Sequence, residues 1–153
     1  MKKVFILLSI LMLSLCACKN EGNIGPLFGT WALTDITVNG EKPADFIKGQ
    51  TTWSFQNNIV RIVFDLGPSE YDDRVGSWEK TASEGHKYLE FNFTHSQDGV
   101  EPGTGPYLAP EWLGWPTNRI IRLEYVKDSS REMVLTWMSD GGDSFTYTLK
   151  KTW

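Results

Sequence analysis

Two clusters in the sequence carry the residue types of a metal site. His95, Asp98 and Glu101 in "HSQDGVE" stand three apart, a spacing that one helical turn would bring to a single face. Gly99 and Pro102 interrupt any such turn. Asp140 and Asp143 in "DGGD" offer carboxylates of the kind calcium takes, but a tight hairpin turn accounts for the same four residues more simply. No metal or other cofactor is expected. Nucleophilic catalysis has little support, because no Gly-x-Ser-x-Gly elbow is present and His86 falls in a short turn. Carboxylates are plentiful, yet nothing fixes a pair at the roughly 5–9.5 Å that glycoside hydrolysis requires. A non-enzymatic role is expected.

The densest recognition chemistry is aromatic. The stretch "PGTGPYLAPEWLGWP", residues 102–116, places Tyr107, Trp112 and Trp115 among glycines and prolines that exclude both helix and strand. It belongs to a 23-residue connection, 95–117, longer than the 12–15 residues beyond which structureless loops are uncommon. A disordered segment lacks such residues. The rings must either fold down as a lid or stand out as a contact surface, and a lid is expected.

The elements that would position this segment are strands. Short runs rich in β-branched and aromatic residues recur between turn signals: 30–38, 51–56, 59–66, 74–81, 87–94, 118–126, 132–138 and 144–152. Leu89, Phe91 and Phe93 oppose Glu90 and Asn92, while Phe145, Tyr147 and Leu149 oppose Thr146, Thr148 and Lys150. One apolar face per strand describes a sheet that buries one side. Eight antiparallel strands without helices predict an all-β fold, an eight-stranded up-and-down β-barrel whose closure removes the edges. A two-sheet sandwich is the rival, although its immunoglobulin form wants a cysteine pair that is missing.

The N-terminus reads as a processing signal. Met1-Lys2-Lys3 is followed by the apolar run Val4 to Leu15, too short to span a bilayer. Leu15-Cys16-Ala17-Cys18 resembles a bacterial lipobox, which implies cleavage after Ala17, lipidation of Cys18 and a membrane attached through the N-terminal lipid. Lys19 follows, where related lipoproteins kept on the inner membrane carry aspartate, so the outer membrane is favoured. The expected organisation is a signal peptide over 1–17, a lipidated linker over 18–28 and a barrel domain over 29–153. The mature chain has no cysteine besides its anchor and folds without disulfides. Loss of Lys2 and Lys3 with the leader leaves 13 basic against 19 acidic residues, about −6, which gives no footprint for nucleic acid.

Gly29-Thr30-Trp31 opens the first strand. A Gly-x-Trp there, with this strand count and chain length, resembles the lipocalins, and in particular small bacterial lipocalin-like lipoproteins. The resemblance implies that Trp31 plugs the barrel floor. The arginine that packs on that tryptophan in lipocalins is missing, and Lys150 and Lys151 stand where it would be.

Connections alternate between the two ends of such a barrel. The long ones, 39–50, 67–73, 95–117 and 139–143, fall at one end, the mouth, while the chain enters at the other. These loops hold ten acidic residues against Lys42 and Lys48, about −8. Such a rim favours neutral amphiphiles, cations or a basic partner. "KPADFIKG" predicts one helical turn whose Phe46 and Ile47 close over the barrel. The leading expectation is a monomeric protein binding a small hydrophobic or amphipathic molecule, with Trp53, Phe64, Phe93, Trp137 and Phe145 at the mouth and Tyr107, Trp112 and Trp115 overhead. The alternative is an envelope interaction module that contacts a protein or glycan through the aromatic 102–116 loop.

Overall fold

The computed structural model describes residues 25–94, 105–117 and 119–153. The expected lipidation site Cys18 and the cluster of His95, Asp98 and Glu101 lie outside them. Eight strands form one closed antiparallel barrel in sequence order. They are β1 (Gly29–Val38), β2 (Thr51–Gln56), β3 (Ile59–Gly67), β4 (Glu70–Ser83), β5 (His86–Asn92), β6 (Ile120–Asp128), β7 (Glu132–Met138) and β8 (Ser144–Lys151). The period-two pattern explains the result directly. Leu89, Phe91, Tyr147 and Leu149 are fully buried, whereas Glu90 and Thr148 between them face outward and are half-exposed. Strand β8 returns to β1, pairing Trp31 with Lys151 and Val38 with Phe145, so neither edge is left open.

The barrel interior is packed with side chains. Trp53, Phe55, Ile62, Phe91, Leu135 and Tyr147 are all fully buried within it. At the end where the chain enters, a 3-10 turn, η1 (Gly25–Leu27), seats Leu27 under the barrel. Trp31 is buried there and its Nε1–H donates to the Leu27 carbonyl at 2.8 Å. Lys151 takes the place of the missing arginine. Its ammonium lies 5.6 Å from the Trp31 ring centroid and donates to the Pro26 carbonyl. Gly29 is required on two counts: φ is +116°, and a Cβ would sit 2.2 Å from the backbone oxygen of Trp153.

Two sequence expectations are corrected. Residues 67–73 are not a loop, since β3 and β4 continue to a tight turn at Pro68-Ser69 and carry Glu70, Asp72 and Asp73 on β4. The extension is held by Arg61 bonded to Asp73, Arg74 paired with Asp72, and Arg61 over the Tyr71 ring. Residues 43–50 form two successive turns rather than a helical one, with Phe46 N–H bonded to the Pro43 carbonyl and Gln50 N–H to that of Ile47. A lone helical turn fixes about six dihedrals for one hydrogen bond, and nothing here offsets that cost.

Candidate functional site

The connections 39–50 and β5–β6, the two longest, lie at one end together with the tight turn at Pro68-Ser69, and the described part of the β5–β6 connection folds down into the mouth. Two 3-10 turns shape it, η2 (Gly105–Tyr107) and η3 (Glu111–Leu113). Gly114 ends η3 at φ +77°, its N–H closing on the Glu111 carbonyl. A Cβ on Gly114 would meet the Phe145 ring at 2.6 Å, so the segment lies directly on that ring. The reversal aims Trp115 downward into the barrel, where 3 % of it is exposed.

Trp115 completes an aromatic cluster. Its ring stacks on Phe91 at 5.5 Å and 21°, meets Trp53 edge-on at 5.4 Å and touches Phe93 at 6.2 Å. Its Nε1–H donates to the Tyr147 hydroxyl at 2.9 Å, and that hydroxyl donates to the Leu113 carbonyl at 2.7 Å. One phenol therefore clamps both ends of "LGW". Burial pushes the Tyr147 phenol well above the ordinary tyrosine range, against a smaller opposing effect of the Trp115 bond.

A second group lies higher in the mouth. Trp112, half-buried, tilts against Phe64 at 5.5 Å, and the Arg74 guanidinium lies 5.2 Å from its ring centroid. Arg74 points inward because it shares a strand face with Gly76 and the buried Trp78, and pairs across with the buried Ile62. Asp72 accompanies it. The Nε1–H of Trp112 and the Nε–H of Arg74 are both buried without a hydrogen-bond acceptor, as is the Nε1–H of Trp53 below them. Each such donor costs about 1–3 kcal/mol in desolvation.

The residues singled out in the sequence thus fall into linked groups. Trp53, Phe93 and Trp115 meet in the lower cluster, and Phe64 and Trp112 in the upper one. Trp137 packs on Phe145 at 5.1 Å, which stacks in turn on Tyr147. Tyr107 sits half-buried in η2, against β4. Trp53 lies at mid-barrel rather than at the mouth. The lid role expected of Ile47 is contradicted, since its side chain is 60 % exposed, while Phe46 packs partly on the core beneath Lys42. The separate turn at 48–50 draws Ile47 away from the barrel. Arg74 escaped the sequence reading, although its alternation with Gly76 and Trp78 signals an inward position.

The acidic rim is also tempered. Asp72, Asp73 and Asp140 pair with Arg74, Arg61 and Arg119, all outside the loops counted from sequence. Asp140 and Asp143 of "DGGD" are occupied by Arg119 and by the Asn39 amide, and Gly142 N–H closes a turn on the Ser139 carbonyl. Among the described residues no group of three or more His, Cys, Asp or Glu side chains is placed to hold a metal ion.

No family model matches the chain, and no curated protein matches it in sequence. Solved structures match it in fold. The chain is similar to a lipocalin-like protein from Bacteroides uniformis ATCC 8492, with a TM-score of 0.54, 14% identity and coverage of 83% of this chain and 99% of that one. It is also similar to an uncharacterized protein from Bacteroides eggerthii DSM 20697, with a TM-score of 0.53, 12% identity and coverage of 81% and 98%. At these identities the likeness is one of fold: a closed eight-stranded barrel of the lipocalin-like kind.

Proposed function

We propose that this protein is a non-catalytic binding protein of the cell envelope, processed as a lipoprotein at Cys18 and held at the outer membrane. It takes a small apolar or amphipathic molecule at the barrel mouth, between the strands and the 105–117 segment. The observation that carries the reading is the construction of that segment. Trp112 lies over the barrel against Phe64, and its Nε1–H and the Nε–H of Arg74 beside it are buried and unpaired, while the Arg74 Nη1 is bonded to Asp72 and to the Asp73 carbonyl. Single unpaired polar groups are also buried away from the mouth, at Trp78 and Tyr125, but here two donors lie together beside one half-buried ring, where a ligand carrying an acceptor would satisfy both. Since the interior is filled, the ligand lies above Trp115 or displaces it. The alternative of a protruding aromatic contact loop is weakened, because Trp115 and Leu113 are buried and Trp112 half-buried.

Native mass spectrometry of the protein recovered from its own host tests this reading. A co-purifying small molecule is expected, and Trp112→Ala should lose it while keeping the barrel's circular dichroism. Recovery without any bound molecule, together with unchanged tryptophan fluorescence across a panel of neutral, cationic and anionic amphiphiles, would overturn it.

A further inference from the structure

The end opposite the mouth carries a feature that ligand binding leaves unused. Phe28 and Trp153 meet there at a ring separation of 5.6 Å, yet are 46 % and 68 % exposed. Both flank the closure of the barrel, Phe28 just before β1 and Trp153 just after β8. Cations gather beside them. Lys151 N–H bonds to the Arg131 carbonyl, which brings the β6–β7 turn against the end of β8, and Lys150 projects from the next position. Glu132, which opens β7 at this turn, is engaged by Lys127 and Lys150, and Asp128 ends β6 on the turn's other side. Arg131 has no carboxylate partner among the described residues.

We infer that this end is a seat for the bilayer surface, with the Phe28 and Trp153 rings in the headgroup layer and Arg131 and Lys150 beside anionic lipid. Three observations converge on that occupant. Exposed tryptophan next to lysine and arginine is the composition of membrane-interface anchors. The seven-residue step from Cys18 to Gly25 spans at most about 25 Å when fully extended, so an acylated Cys18 holds this end within reach of the membrane. Charge selects this end over the other. Exposed apolar side chains at the mouth, such as Ile47 and Met138, are interspersed with Glu41, Asp45 and Asp140, which an anionic surface repels.

The inference rests on the lipid anchor proposed above, and one experiment separates the two. Full-length acylated protein is reconstituted into phosphatidylethanolamine–phosphatidylglycerol vesicles whose acyl chains are brominated near the headgroup, and tryptophan quenching is measured. Wild type should be quenched, and Trp153→Phe should lose most of that quenching with its circular dichroism unchanged. Arg131→Glu combined with Lys150→Glu should reduce it in phosphatidylglycerol vesicles but not in neutral ones. Vesicle-bound protein whose quenching is the same with and without Trp153 overturns the seat and leaves the anchor standing. Protein that stays in the aqueous fraction overturns both. Cross-linking that finds Trp153 buried against a second copy assigns the patch to self-association and overturns the seat.

Discussion

Tyr147 is the residue on which the mouth depends. Its hydroxyl accepts from the Trp115 indole and donates to the Leu113 carbonyl, so its removal strands two buried polar groups at once. Tyr147→Phe should cost about 1–3 kcal/mol in denaturant unfolding and shift Trp115 emission, with barrel circular dichroism retained. Trp115→Ala should cost more, about 3–5 kcal/mol, because it empties the centre of an aromatic cluster. Trp112→Ala, on a half-buried ring, should cost less. The two tryptophans of one short segment therefore differ in place: Trp115 closes the core, and Trp112 lies above it against Phe64 and Arg74. Residue types announced both as significant. They could not announce the division, which is set by Tyr147 thirty-two positions away and by the turn at Gly114.

At the scale of elements, the strands were legible because burial on one face imposes alternation. Runs such as 87–94 and 144–152 show it without interruption, and both lie within two residues of the strands found. The start of β4 was not legible, because "EYDDR" has a turn-like composition and pairs through charges on its neighbour, chiefly Arg61 to Asp73. The 105–117 segment was legible as a lid and not as a plug, since insertion depends on space between strands distant in sequence. Gly76 supplies some of that space: a Cβ there would lie 2.8 Å from the Phe93 ring beside Trp115. Gly114 supplies the approach. Gly114→Ala should destabilise by about 1–2 kcal/mol from the left-handed backbone alone, with the Phe145 contact adding to it. Amide exchange confined to 105–117 should accelerate in that variant. Unchanged exchange would show that the segment holds its place without this turn.

For the whole molecule, the barrel divides its tasks between two ends. One is closed by Trp31, Leu27 and Lys151, the other by a segment of its own loop. Buried phenols connect this closure to pH. Burial raises the proton affinity of Tyr147 and Tyr125 in the folded state. As pH climbs past about 10, the unfolded chain releases protons that the folded one retains, so stability falls with rising pH. Tyr147→Phe should flatten that decline in urea melts between pH 9 and about 11, and an unaltered slope would remove this phenol from the account.

The pairing of β8 with β1 also fixes when the molecule can exist. Thr152 donates to the Thr30 carbonyl across 122 positions, and Trp153 lies against Gly29. Without Ser144–Lys151 the ring cannot close, and β1 and β7 would each expose a free edge. Closure of the barrel therefore waits on β8, the last strand in the order of the chain.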